Sequence, residues 1–387
     1  MKNIKRGTIY KAISGFFLLL LVIPNIGLLR EKTNVIHIAI MENRTINPKP
    51  TAAFATGKFF KEFEAWYDDR LLGRKDLISK WAMWNGRLFD TLISKNVVHG
   101  KDGFLFSPAN MAHKMADKEQ KLAKIKKIEQ QCSKRGIRFI FMLTPNSELV
   151  LSDLFEKEYP QIDLAAAEQI TAKDFSDFGI ETCFLGKEFT SYSLSERKNM
   201  YHSGDYHWTD AAGYLAAKKF LHQVAYANNI DASVKQVKVV SKAGIYYRDA
   251  GLATKEDVRY YPWSNSFTDE FYVTDSRDKD FSHGKLTKGF GEYGQYGEDI
   301  IINKKVNNNR TILILGDSFS GCLKKYLLQD VHMIVYSHSR DLHKEKGKID
   351  IEYMLDRYKP DIVLFQKMEA FGYREGYEEM LGNICVN

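Results

Sequence analysis

A chain of 387 residues can bury a substantial core, as one large domain or two smaller ones. With 44% hydrophobic and 27% charged residues it has ordinary globular composition, which excludes general disorder. The formal charge of +7 is modest, and no basic patch with interleaved aromatics accompanies it, so a nucleic-acid partner is excluded as a reading.

Residues 12–29, AISGFFLLLLVIPNIGLL, form a nearly uninterrupted apolar run behind Lys2, Lys5, Arg6 and Lys11. Its length matches a bilayer core, and the basic flank assigns the N-terminal end to the cytoplasm. The run exits into GLLREKT rather than small residues, which favours an uncleaved signal-anchor over a cleaved secretory signal. Either reading places the rest of the chain outside the cytoplasm. No later stretch is long and apolar enough to span again, so a single-pass protein is expected.

After a mixed stalk to about Pro50, the aromatics Phe59, Phe60, Phe63, Trp66 and Tyr67 recur at helical spacing, as do Trp81 and Trp84. That spacing predicts a core stripe rather than a sugar-stacking surface. Next, VVHGKDGFLF (Val97 to Phe106) reads as two short strands around an Asp102-Gly103 turn. A charged helix over Lys118 to Lys134 precedes the apolar strand Ile137 to Pro145, the rhythm of a parallel α/β sheet. The rhythm returns in the strands Thr311 to Ser318, His332 to Ser337 and Asp361 to Gln366, with helices between them. Between about Ser241 and Lys305 the periodicity breaks, and the stretch reads as a long insertion over the sheet. The four cysteines are scattered, with no spacing that suggests a metal site.

GDSFS (Gly316 to Ser320) follows a strand and precedes a helix. A serine there projects from the carboxyl edge of the sheet, beside helix N–H groups that can stabilise an oxyanion. Taken alone, the motif reads rather as a turn with a capping serine. Asp205-Tyr206-His207 adds a carboxylate two residues from an imidazole. A serine hydroxyl needs such a base, and the base works best when a carboxylate fixes its tautomer. His202 is a weaker candidate base, lacking a carboxylate at that spacing, and Thr209 reads as the N-cap of the helix that follows. Together the two half-motifs point to a triad of Ser318, His207 and Asp205.

ENR (Glu42 to Arg44), FEAWYDDRLLGR (Phe63 to Arg74), VVHGKDGFLF, TPNSE (Thr144 to Glu148), DYHWTDAAG and ILGDSFS occur in this order along the chain. In these pieces the sequence resembles the AlgX/AlgJ-type, or DHHW, SGNH-hydrolase-like proteins, which O-acetylate exported polysaccharides such as alginate. Ordinary SGNH hydrolases carry the serine block first; this family inverts the order, as here. The resemblance implies an SGNH-like open, mainly parallel sheet flanked by helices and preceded by a transmembrane helix. It also implies Ser318 as nucleophile, His207 as base and Asp205 as orienter. A polysaccharide acceptor and a multipass membrane O-acyltransferase of the MBOAT type as acetyl donor would be the partners, with no metal or diffusible cofactor.

Gly316 allows the tight turn at the nucleophile, and Tyr336 and Arg340 are the nearest residues after the next strand that could line the oxyanion or sugar site; a structural role is the other reading. The backbone N–H of Ser318 is a better oxyanion donor than either side chain. Arg44 and Arg70 read as framework residues in ion pairs. The expected organisation is a cytoplasmic tip and anchor over 1–30, a stalk and amphipathic helix over 31–95, and a catalytic domain over 96–387. The expected activity is O-acetyl transfer through an acetyl-serine, with a carbohydrate acetylesterase and a non-catalytic polysaccharide-binding protein as the other readings.

Overall fold

The computed structural model describes residues 6–22, 47–54, 56–70, 80–81, 84, 97–107, 118–155, 164–226, 238–242, 244–249, 256–260, 298–303, 305–338, 349–368, 381 and 384–385. The chain divides into two compact units, one of residues 1–94 with 248–253, the other of residues 95–247 with 254–387.

The first unit contributes helices α1 (Arg6–Val22) and α2 (Gly57–Asp68). α1 has 17 residues, which at the α-helical rise span about 26 Å, against the roughly 30 Å of a hydrocarbon core. Among the described residues no helix is long and apolar enough to cross a membrane. The apolar run from Ala12 to Leu29 continues past Val22 into residues outside the described ones. α2 departs from expectation. None of its residues is buried, and Phe60 is 57% exposed. Its rings pack along the helix on one another, Phe59 on Phe63 at 6.0 Å and Phe63 on Tyr67 at 5.9 Å, rather than into a core. Arg70 is a framework residue, donating to the Asn47 and Trp66 carbonyls with its guanidinium 4.7 Å from the Trp66 ring. Arg44 lies outside the described residues.

The second unit begins with the hairpin β1 (Val98–His99) and β2 (Leu105–Phe106). Its turn places Asp102 at φ 58° and Gly103 at φ 78°, which explains the Asp-Gly pair. Then follow α3 (Lys118–Ser133), β3 (Arg138–Thr144), α4 (Ser147–Val150), α5 (Leu164–Asp177), β4 (Thr182–Phe184), α6 (Gly186–Thr190), α7 (Leu194–Met200) and α8 (Asp210–Gln223). β5 (Lys238–Lys242) pairs antiparallel with β6 (Glu256–Tyr260), and α9 (Ile245–Asp249) lies between them in sequence. The remainder comprises β7 (Asp299–Ile302), β8 (Thr311–Gly316), α10 (Ser320–Leu327), β9 (Met333–His338), β10 (Ile349–Asp350), α11 (Ile351–Tyr358), β11 (Ile362–Met368) and β12 (Ile384–Cys385).

Six strands form one sheet in the order β4-β3-β11-β8-β9-β7, parallel except for β7. The strands read as apolar runs because both sheet faces are covered. Ile140, Ile312, Ile314 and Leu364 join a core with Ala212, Ala216 and Phe220 of α8 and Leu323 of α10. Their neighbours Phe141, Leu313, Leu315 and Phe365 face the opposite core, with Leu122 and Ile125 of α3 and Met354 and Leu355 of α11. This is the expected α/β sandwich with a mostly parallel sheet. β7 corrects one reading: a strand of the main sheet lies inside the stretch taken as a loop insertion. At the edge and antiparallel, it shows no strand–helix rhythm around it.

Candidate active site

The sheet order puts the carboxyl ends of β3, β11 and β8 side by side, and the site is assembled there. β8 ends at Gly316, and the turn Asp317–Phe319 leads into α10 with Ser318 exposed. Asp317 is buried and anchors this turn, accepting the Phe319 N–H at 3.0 Å through one carboxylate oxygen and the Met368 N–H at 2.7 Å through the other. A Cβ on Gly316 would lie 2.1 Å from Ser320 Oγ and 2.9 Å from Gln366 Oε1, so the residue is glycine for lack of space. Ser320 and Gln366 use that space for a 2.6 Å hydrogen bond, and Gln366 donates onward to Thr144 at 3.0 Å. Three strand ends are thereby tied together.

The imidazole arrives on a loop pinched at its base, where Tyr201 pairs with Trp208 and the Thr209 N–H donates to the Met200 carbonyl at 2.8 Å. Two side chains aim the loop. Tyr201 donates its hydroxyl to the Pro145 carbonyl at 2.6 Å, just past β3. Trp208, 2% exposed, donates its indole N–H to the Phe319 carbonyl at 2.9 Å, joining the histidine loop to the serine turn. The ring of His207 lies against Phe319, with centroids 5.3 Å apart. Thr209 occupies the N-cap of α8, but its hydroxyl donates to the Asn199 carbonyl rather than capping the helix.

His207 Nε2 lies 2.6 Å from Ser318 Oγ, and His207 Nδ1 lies 2.7 Å from Asp205 Oδ1. Asp205 is 7% exposed. Burial by itself would raise its carboxyl, but the hydrogen bond and charge of His207, with the backbone N–H groups of His207 and Ile245, outweigh it and hold the pKa at about 2. The carboxylate is therefore an acceptor only, so Nδ1 carries the ring proton and Nε2 presents its lone pair to the serine hydroxyl. Ser318 can lose its proton to Nε2 as its oxygen attacks an electrophile.

The structure thus brings Ser318, His207 and Asp205 together, and it is His207, not His202, that meets the serine. Gly316 sits directly beneath the turn. Tyr336 is buried, and its hydroxyl donates to the Asp317 carbonyl at 2.9 Å, which makes it a support of the turn. Arg340 lies outside the described residues. Among the described residues no group of three or more His, Cys, Asp or Glu side chains is placed to hold a metal ion.

Sequence reasoning missed the hydrogen bond to Asp205 Oδ2, which comes from the Ile245 N–H at 3.2 Å. A backbone donor leaves no side-chain signature, and Ile245 lies in the stretch read as an insertion. Trp208 was legible as a residue of the motif but not as the tie to Phe319.

Residues 97–279 match the family model for the SGNH hydrolase-like domain, acetyltransferase AlgX. The matched segment contains Asp205 and His207 and ends before Ser318. The fold is similar to that of Bacillus cereus PatB1 with a sulfonyl adduct, at 18% identity and a TM-score of 0.56, over 73% of this chain and 98% of that one. It is also similar to a DHHW family protein from Eubacterium siraeum, at 14% identity and a TM-score of 0.54, over 75% of this chain and 99% of that one. Comparison with the curated proteins gives no match.

Proposed function

We propose, from the match of residues 97–279 to the family model for the SGNH hydrolase-like domain, acetyltransferase AlgX, that the chain is an AlgX/AlgJ-type protein and a serine-dependent O-acetyltransferase acting on hydroxyls of an exported or cell-surface polysaccharide. The observation that carries this reading is the hydrogen-bonded series Asp205–His207–Ser318, with bonds of 2.7 and 2.6 Å and an ionised, buried carboxylate at its end.

The reaction is a double displacement. Ser318 Oγ attacks the acetyl carbonyl while its proton passes to His207 Nε2. The oxyanion of the tetrahedral intermediate is held by the Ser318 N–H at the head of the turn into α10. Collapse breaks the donor's acyl bond, His207 returns the proton to the leaving group, and an acetyl-serine remains. A sugar hydroxyl then loses its proton to His207, attacks the acetyl carbon, and leaves as the ester while Ser318 recovers the proton. Asp205 stays ionised throughout and stabilises the imidazolium.

In this reading the apolar N-terminal run anchors the chain, the catalytic domain is extracytoplasmic, and a multipass membrane O-acyltransferase delivers the acetyl group. The basic residues before the run and its continuation to Leu29 support that orientation.

Exposure of Ser318 favours hydrolysis as a second reading, since water can reach the same acyl-enzyme. An acetyl ester supplied with and without an oligosaccharide acceptor separates the two. The transferase yields acetylated sugar. Acetate alone, with every acceptor tried, identifies an esterase. Ser318→Ala removes both products; unchanged surface acetylation by a stably present Ser318→Ala protein would leave a non-catalytic binding role.

A further inference from the structure

Glu148, from the TPNSE segment at the end of β3, is completely buried. Its Oε1 accepts the Ser107 N–H at 2.9 Å and the Tyr246 hydroxyl at 3.0 Å, and its Oε2 accepts the Ser147 hydroxyl at 3.1 Å. Burial raises the Glu148 carboxyl, and burial together with Glu148 pushes the Tyr246 phenol well above its ordinary value. Tyr246 therefore remains a donor at every working pH.

Tyr246 is fixed at its other end as well, its N–H donating to the Gly204 carbonyl at 2.9 Å. Its neighbour Tyr247 lies against Gly204 so closely that a Cβ there would meet the ring at 2.0 Å. The Tyr247 hydroxyl is 3.1 Å from Ser203 Oγ and donates to the Gly103 carbonyl at 3.2 Å. Two adjacent tyrosines thus grip residues 203–205, and the residue before them supplies the N–H on Asp205 Oδ2. The other oxygen, Oδ1, serves His207 alone. Without the hold on Oδ2 the carboxylate can rotate about its last torsion, and Oδ1 drifts from Nδ1.

We propose that Glu148 and Tyr246 are positioning residues for acyl transfer: their buried hydrogen bond fixes the Ile245–Tyr247 turn, so that the Ile245 N–H locks Asp205 and keeps His207 aligned on Ser318. The inference rests on the triad reading above and adds to it a support that touches neither substrate nor reacting atoms. It also gives the otherwise unused TPNSE glutamate a function.

The test uses the full-length protein, 4-nitrophenyl acetate as acyl donor and phenylmethylsulfonyl fluoride as a probe of serine reactivity. Tyr246→Phe lowers kcat about tenfold to a hundredfold while KM changes less than about twofold, and slows sulfonylation by a similar factor. The control is Tyr358→Phe, which deletes a hydroxyl bonded at 2.5 Å to the buried Glu298. It loses thermal stability but keeps the wild-type kcat and sulfonylation rate. Glu148→Leu, which removes the acceptor of the Tyr246 hydroxyl, gives the same split of kcat from KM and decides the matter if Tyr246→Phe does not fold. A wild-type kcat in Tyr246→Phe, or equal kcat losses in Tyr246→Phe and Tyr358→Phe, overturns the proposal. Ser318→Ala separates the two levels. If it turns over, the triad reading itself falls; if it is dead while Tyr246→Phe is fully active, only the positioning role falls.

Discussion

At the residue scale the chemistry depends on one buried carboxylate. Asp205 has a folded pKa of about 2, below its ordinary value of 3.8. A depressed pKa means that stability is present above the unfolded value and is lost as pH falls through the folded one. The contribution is about 2 kcal/mol at neutral pH and disappears between about pH 4 and pH 2. Asp205→Asn is expected to flatten that acid limb in a denaturant titration. The same change lowers kcat by about three to four orders of magnitude, because Nδ1 no longer faces an obligate acceptor. Gly316→Ala acts differently. Its new methyl would sit 2.1 Å from Ser320 Oγ, so the Ser320–Gln366 bond must break or the turn must shift. A loss of about 1–3 kcal/mol in urea unfolding is expected, with reduced activity because Asp317 and Ser318 move together.

At the element scale, α8 and α10 carry the two halves of the site. α8 starts just after His207 and α10 just after Ser318, and they cross at Gly213, where an added Cβ would lie 2.6 Å from Cys322 Cβ. Gly213→Ala should separate the helices, lowering the unfolding midpoint by the equivalent of about 1–3 kcal/mol and kcat along with it. The strands behind these helices were legible because a two-sided parallel sheet needs continuous apolar runs, as in Ile312–Leu315 of β8 and Ile362–Phe365 of β11. β7 was not, because an antiparallel edge strand of four residues has no helix to pair with in the pattern. The stripe of α2 was legible as a helix but not as exposed, since periodicity reports a face and not what covers it. Ser318, His207 and Asp205 were readable from side-chain chemistry. The Ile245 N–H, and the link through Gln366 and Thr144, were not, since one is backbone and the other depends on the strand order.

At the scale of the whole molecule, the order of the motifs along the chain is reconciled by topology. The Asp-His loop is pinned near the end of β3 through Tyr201 and Pro145, while the serine ends β8. β11, the last strand of the main sheet in sequence, lies between β3 and β8. The serine block can therefore follow the histidine block without altering the geometry. If the N-terminal run is an anchor, a chain lacking residues 1–30 should be released from the membrane fraction. It should still hydrolyse 4-nitrophenyl acetate but no longer support acetylation of surface polysaccharide. Persistence of that acetylation would show that tethering is dispensable.

The central claim is that Ser318 carries the acetyl group. Acid-quenching the full-length protein during turnover of 4-nitrophenyl acetate, followed by peptide mass analysis, reads this directly. An acetyl group is expected on the peptide and residue of Ser318, discharged when an oligosaccharide acceptor is added and absent from Ser318→Ala. Continued turnover in Ser318→Ala, or an acetyl group carried at another residue in the active protein, would contradict it.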